Sequence, residues 1–105
     1  MASEKFDARR EELHKILTAI TNHVYFQPPE NVKIEYPCII YRRSTANTQH
    51  ADNKPYVFAR FYQLTIIDKD PDSELVAKVA QLPTAAFDRH YTFENLNHDV
   101  FVIYY

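Results

Sequence analysis

The chain has 105 residues and a formal net charge of −2, which suits one domain with one core and provides no basic excess for gripping nucleic acid. It contains no glycine and one cysteine. Glycine-rich phosphate loops, dinucleotide fingerprints, the G-x-S-x-G nucleophile turn and a disulfide framework are therefore excluded. The single cysteine fits a reducing compartment, and no apolar run approaches the ~20 residues of a membrane span. We expect residues 1–105 to form a single domain.

An amphipathic helix is predicted at the start of the chain. Ser3 is its expected N-cap, and residues 21–22 are expected to end it. Apolar residues at helical spacing predict its buried face: Phe6, Leu13, Ile16, Leu17 and Ile20. The charged face is interpreted either as a solvated surface or as a subunit contact in which arginines and glutamates pair across a boundary. Its residues are Arg9, Arg10, Glu11 and Glu12.

Two strands are predicted next, over residues 24–26 and 36–43, with a stiff diproline loop between them. A long polar loop, residues 44–54, then leads to a third strand, with which residues 36–43 are expected to form a hairpin. Ordinary hairpin loops need about 2–5 residues, so this loop is either a mobile tip or a contact arm ordered by a partner. The candidate contact residues of the arm are Arg42, Arg43, Asn47, Gln49, His50, Asp52 and Lys54.

The third strand and the helix after it set the layout of the fold. Residues 56–67 are rich in aromatic and β-branched side chains, which predicts a strand inside the sheet, covered on both faces near residues 64–67. The period then changes, and residues 74–82 predict a short helix. Asp70 is the expected N-cap, Pro71 the first helical residue and Pro83 the stop signal.

The last third of the chain predicts a strand or bend over residues 85–93, a turn over 94–98 and a terminal strand over 99–105. Together the elements predict an α+β fold. We expect one mainly antiparallel sheet of four to five strands, with two helices packed on one face.

Alternating acidic residues precede the second helix and resemble the start of a calcium loop. Asp68, Asp70 and Asp72 have the right spacing, but Ser73 and Val79 stand where that loop requires Gly and Glu. Helix capping is therefore the preferred interpretation of these acids.

The remaining metal and nucleophile candidates are weak. Cys38 lies in an apolar run and is expected to be a core thiol. His50 and Asp52 are two possible ligands, which do not make a metal site. We expect no metal and no cofactor.

Two functions from other classes are further alternatives. A small hydrolase would use the clustered residues His90, His98 and Asp99, but no serine nucleophile accompanies them, and local turn bonds are the preferred interpretation. An RNA-binding module would use a sheet face with basic and aromatic residues, here Tyr41, Arg43 and Tyr62. The acidic balance of the chain argues against that module.

Three parts of the sequence resemble the tail terminator proteins of long-tailed bacteriophages, also called tail completion or tail-to-head joining proteins. They are residues 24–33 (VYFQPPENVK) continuing to 36–41 (YPCIIY), residues 66–73 (IIDKDPDS), and residues 87–91 (FDRHY) with 95–101 (NLNHDVF). The resemblance covers most of the chain from Val24 to Tyr105. These stretches are distinctive as sequence but contain no chemical signature.

The resemblance implies a structural, non-enzymatic protein of the virion, assembled in the cytoplasm of a bacterial host. Such proteins form a six-membered ring on the head-proximal end of the tail tube, end tube polymerisation and join the tail to the head connector, and DNA passes through the lumen without specific binding. The implied partners are further copies of the chain, the tail tube protein and a connector or neck protein, with no membrane. Another connector, neck or minor capsid protein of the same phage class is the alternative. The resemblance supplies no motif for interface residues, so the charged helix and the arm remain candidates from the chain alone.

Overall fold

The computed structural model describes the backbone of residues 2–44 and 60–105, and the side chains from residue 8 onward within those ranges. The described residues form two helices and five strands. The elements are α1 (Ala2–Thr18), β1 (Val24–Phe26), β2 (Cys38–Arg43), β3 (Phe61–Asp68), α2 (Glu74–Ala80), β4 (Ala86–Phe93) and β5 (Leu96–Tyr104). The predicted α+β class is confirmed.

The described strands form one sheet in the order β1-β2-β3-β5-β4. β1 runs parallel to β2, and the other neighbouring pairs are antiparallel. β2 and β3 form the predicted hairpin, with Tyr41 opposite Leu64. Leu64 in turn lies opposite Phe101 of β5. The sheet is therefore mainly antiparallel, as predicted, and β3 is its central strand.

Both helices pack on the same face of this sheet, as predicted. Side chains alternate between the two faces along each strand, and one alternate set from β2, β3 and β5 meets the apolar stripes of the helices. The buried cluster comprises Leu13, Leu17, Ile39, Tyr41, Tyr62, Leu64, Ile66, Leu75, Val79, Phe101 and Ile103. Burying one large apolar side chain contributes about 1.5–3 kcal/mol, so this single layer is the main source of stability.

The opposite face of the sheet is covered by neither helix. Cys38, Ile67 and Val100 are nevertheless buried there, and Ile40 and Thr65 are half-buried. The prediction that the sheet is covered on both faces near residues 64–67 therefore holds for Ile67, which is 7% exposed, and only partly for Thr65.

The predicted start of each helix is wrong by a few residues. Helix α1 already begins at Ala2, so Ser3 is inside the helix rather than at its N-cap. Ser73, not Asp70, caps α2, and its Oγ accepts a hydrogen bond from the Leu75 amide at 3.2 Å.

The acids before α2 serve the turn that precedes the helix. Asp68 Oδ1 accepts a hydrogen bond from the Asp70 amide at 3.0 Å, and Asp70 Oδ1 accepts one from the Asp72 amide at 2.9 Å. Because these oxygens are engaged in successive Asx turns, the helix cannot begin until Ser73. Pro71 therefore lies in the turn, ahead of the helix.

The predicted ends of the helices are also too late. Helix α1 ends at Thr18 and α2 at Ala80. The Gln81 amide donates hydrogen bonds to the carbonyl oxygens of Lys78 and Val79. The last turn of α2 is therefore tighter than an α-helix, and α2 ends before Pro83. Strand β3 begins at Phe61, and the predicted strand residues 56–59 lie outside the described residues.

Turns that would ordinarily use glycine are made by other residues. Glu94 and Asn95 have φ of 53° and 66° and link β4 to β5, which is the geometry of a type I′ hairpin turn. Thr84 has φ of 67°. Its hydroxyl donates to the Tyr104 carbonyl at 2.6 Å and accepts from the Tyr104 amide at 3.1 Å, so the start of the β4 hairpin is fixed to the end of β5.

Candidate functional site

The most unusual surface of the described chain lies along β4. This strand is at one edge of the sheet, and all of its residues are exposed. Three of them are aromatic: Phe87 is 56% exposed, Tyr91 42% and Phe93 61%. We call these three residues the aromatic edge. An edge strand offers unpaired backbone N–H and C=O groups, and exposed aromatic residues beside them are typical of a surface that meets another protein.

A bulge in β4 distributes the aromatic edge over both faces of the sheet. The register shifts between Phe87 and Arg89, so Asp88 is the extra residue. Phe87 packs edge-on against Phe101, on the face that the helices cover, with ring centres 5.4 Å apart. Tyr91 stacks on His98, on the opposite face, at 4.7 Å and 14°. A protein that binds this edge would therefore meet an aromatic side chain on either face.

Two of the three hydrolase residues, His90 and Asp99, lie opposite each other across the β4–β5 pair, and His98 does not join them. His98 and Asp99 are consecutive in β5 and point to opposite faces. The His98 ring lies under Tyr91, and its Nδ1 is 3.2 Å from the carbonyl oxygen of Leu96. Burial raises the pKa of the Asp99 carboxyl, and His90, which pairs opposite it, and His98 oppose that shift. These contacts hold the hairpin together.

The exposed sheet face that an RNA-binding module would need is not formed by Tyr41, Arg43 and Tyr62. Tyr41 and Tyr62 are 0% and 1% exposed, because α1 packs over them in the core, so no base could stack on their rings. The Tyr41 hydroxyl instead shares a hydrogen bond with His14 Nδ1 at 2.8 Å. Burial lowers the pKa of His14, and the positive charge of Arg10 lowers it further.

Cys38 is a core thiol, as predicted. It is 0% exposed, and burial raises the pKa of its thiol to about 12. A thiol in that state is not nucleophilic at neutral pH. Within residues 2–44 and 60–105, no group of three or more His, Cys, Asp or Glu residues is placed to hold a metal ion, and no described helix is long and apolar enough to cross a membrane.

The predicted charged face of α1 lies partly against its own sheet. The Arg10 guanidinium lies over the Phe26 ring at 4.5 Å, and that of Arg9 lies over Tyr105 at 5.6 Å. The Tyr105 hydroxyl donates to Glu12 Oε1 at 2.9 Å. Glu11 remains exposed. The role of this face as a subunit contact stays a prediction.

The candidate arm is described only at its beginning. Arg42 and Arg43 end β2 and are both exposed. The other predicted arm residues lie outside the described residues: Asn47, Gln49, His50, Asp52 and Lys54. Their role as contacts also stays a prediction.

The two ends of the sheet carry opposite charge. One end, which we call the basic end, comprises Arg9, Arg10, Arg42 and Arg43, with Glu12 among them. The other, the acidic end, comprises Asp70, Asp72, Glu74 and Glu94, with Lys69 among them. Asn97 joins the two parts of the acidic end, since its Nδ2 donates to the carbonyl oxygens of Asp68 and Lys69 at 3.3 and 3.2 Å. Along β3 the ends are roughly 20 Å apart.

Sequence reasoning missed the aromatic edge. Three polar residues separate Phe87 from Tyr91, and only Tyr91 and Phe93 alternate with a polar residue, so the pattern does not show which face of the strand is buried. The one indication of an exposed surface is that three aromatic residues follow a short helix, because a helix as short as α2 cannot cover a whole sheet.

Comparison with known proteins finds no matching family model, no matching curated protein and no matching solved structure. The site must therefore be interpreted from the geometry of the chain itself and from the sequence resemblance described above.

Proposed function

We propose that this chain is a tail terminator of a long-tailed bacteriophage: a structural, non-enzymatic virion protein that forms a six-membered ring at the head-proximal end of the tail tube. The ring ends tube polymerisation and joins the tail to the connector or neck protein. DNA passes through its lumen without specific binding.

The observation that carries this proposal is the aromatic edge. A small domain that leaves Phe87 56% and Phe93 61% exposed on an unpaired edge strand has a surface suited to another protein. An edge strand that is exposed along its whole length suits a small molecule poorly, because small molecules bind in clefts and cavities. The stretches that resemble tail terminators include both strands of this hairpin.

The fold supports the proposal in a second way. A ring is built from heterologous contacts, in which each subunit presents two different, complementary surfaces. The basic end and the acidic end lie apart on the same sheet, so one copy carries both kinds of surface. Among the described residues, the arrangement of His90, His98 and Asp99 favours a structural role for them over a catalytic one.

The test uses the purified chain and the tail tube protein of the same phage. Tubes are polymerised with and without the chain, and their lengths and ends are recorded by negative-stain electron microscopy. We expect the chain to bind at one end of each tube and to stop its growth. A chain that leaves the length distribution unchanged and does not bind tubes would overturn the proposal. Retention of the chain by the portal complex, without retention by tubes, would identify a connector or neck protein instead.

A further inference from the structure

We propose that the aromatic edge and the adjoining acidic end of one copy dock on the basic end of a second copy, so that copies of the chain associate head to tail. This inference rests on the proposed function, since it names the contact between neighbouring subunits of the ring. It goes beyond that function in assigning the two surfaces to named residues.

The docking side combines exposed aromatic side chains with exposed carboxylates. Tyr91 and Phe93 lie on one face of β4 and lead directly into the turn that begins with Glu94. The loop between β3 and α2 lies beside this hairpin, because Asn97 Nδ2 donates to the carbonyl oxygens of Asp68 and Lys69. Exposed aromatic rings and exposed carboxylates therefore occupy one end of the molecule.

The receiving side, on the second copy, consists mainly of arginine side chains. Arg42 and Arg43 end β2 with exposed side chains, and neither forms an ion pair with another of the described residues. Arg43 lies opposite Tyr62 in the sheet register. The backbone of Tyr105 pairs with that of Arg60, next to the start of β3. The Arg9 guanidinium lies over the Tyr105 ring and is therefore at the same end of the sheet. Within the part of the chain that the structure describes, several guanidinium groups therefore lie at this other end, and they outnumber the one carboxylate bound there, that of Glu12.

The docking side and the receiving side are chemically complementary. A guanidinium stacks on an aromatic face and pairs with a carboxylate through its fork of N–H groups. The docking side offers both of these partners. The surfaces lie at opposite ends of the β2–β3 pair, so a molecule cannot satisfy its own docking side with its own basic end. A second copy supplies that basic end, and the contact is heterologous, as a ring requires.

The experiment measures self-association of the full chain by sedimentation velocity across a concentration series, at about 50 mM and about 500 mM salt. Two variants reverse the charge of one side each: Arg42→Glu with Arg43→Glu, and Asp72→Lys with Glu94→Lys. A third variant, Lys33→Glu with Lys78→Glu, changes the net charge by the same amount as the first but at exposed residues elsewhere. Circular dichroism checks that each variant is folded.

The wild-type chain should associate at low salt and less at high salt. Each single-side variant should associate at least about tenfold more weakly, because like charges then face each other. An equimolar mixture of the two single-side variants should associate again, since each contact between one variant and the other joins opposite charges. The Lys33→Glu, Lys78→Glu variant should associate like the wild type.

Several outcomes would overturn the inference. One is a chain that stays monomeric at low salt and at the highest concentration. Another is a Lys33→Glu, Lys78→Glu variant that loses association as strongly as the Arg42→Glu, Arg43→Glu variant, because net charge alone would then explain the loss.

The two proposals fail separately. Tubes capped by a chain that never associates with itself through these ends would leave the proposed function standing and the inference wrong. Head-to-tail assemblies that have no affinity for tubes would leave the inference standing and the tail terminator proposal wrong.

Discussion

Thr84 adopts a backbone conformation that β-branched residues rarely take, with φ of 67°. The two hydrogen bonds between its hydroxyl and the backbone of Tyr104 hold it there. The residue pattern does not predict this connection, because the two residues are far apart in the chain and a threonine after a proline predicts only a loop.

Thr84→Ala should lower the free energy of unfolding by about 1–2 kcal/mol, because it removes both hydrogen bonds and keeps the unfavourable φ. Thr84→Gly should lower it less, since glycine adopts positive φ without steric cost. Urea unfolding measures both variants, with Thr92→Ala on the exposed strand β4 as the matched control. Equal effects of Thr84→Ala and Thr92→Ala would show that the contact with Tyr104 is energetically unimportant.

His14 makes the stability of the domain sensitive to acid. Its folded pKa is lowered from 6.5 by burial and by Arg10, so the folded state binds a proton less readily than the unfolded state. The contribution of His14 to the free energy of unfolding is therefore fully present above pH 6.5. It is lost as the pH falls through 6.5 towards the folded pKa.

His14→Gln keeps a polar partner for the Tyr41 hydroxyl and removes the titration. The stability advantage of the wild type over this variant should shrink between pH 7.5 and pH 5.5. Urea unfolding at the two pH values measures it. A difference between the two proteins that is the same at both values would argue against this role for His14.

At the scale of elements, the residue patterns predict the existence and order of helices and strands well and their boundaries less well. The apolar periodicity of residues 13–20 and of 75–79 predicts the buried helix faces, since only one face of each helix can meet the sheet. The position of the second N-cap could not be predicted, because Asp70 and Ser73 are both good caps. The choice depends on which oxygens the preceding Asx turns engage.

Ser73→Ala should lower the free energy of unfolding by about 0.5–2 kcal/mol, because the Leu75 amide then loses its acceptor at the start of α2. Asp72→Ala is the control, since that side chain is exposed and precedes the same helix. Thermal or urea unfolding measures both variants. A larger loss for Asp72→Ala than for Ser73→Ala would contradict the assignment of the cap.

The aromatic edge could not be predicted from the sequence for a related reason. Residues 85–93 predict a strand or bend, but its exposure depends on what packs against it. Helix α2 is short and covers the centre of the sheet through Leu75 and Val79. Strand β4 therefore lies beyond the helix layer, and its side chains remain exposed.

Phe93→Ser separates folding from association. Because Phe93 is 61% exposed, its replacement should change the free energy of unfolding by less than about 1 kcal/mol, while weakening self-association and tube binding. Phe101→Ala is the contrasting variant, since Phe101 is 2% exposed and its truncation should cost about 3–5 kcal/mol. A loss of stability for Phe93→Ser as large as that for Phe101→Ala would mean that Phe93 belongs to the core.

At the scale of the whole molecule, the described residues combine one main buried layer with a division of charge between the two ends of the sheet. The helices stabilise one face of the sheet through the core cluster, and the edge strand β4 stays exposed. The fold class could be predicted from the sequence because it depends on local periodicity. The arrangement of exposed surfaces could not, because it depends on which residues the sheet register brings together.

The central claim is that the chain ends the tail tube and joins it to the head. The most direct measurement is negative-stain electron microscopy of particles from a phage that lacks this chain, compared with the parent phage and with the same mutant supplied with the chain from a plasmid. The account predicts tails of abnormal length or tails that are not joined to heads, with recovery on complementation. Tails of normal length that are joined to heads in the absence of the chain would contradict it.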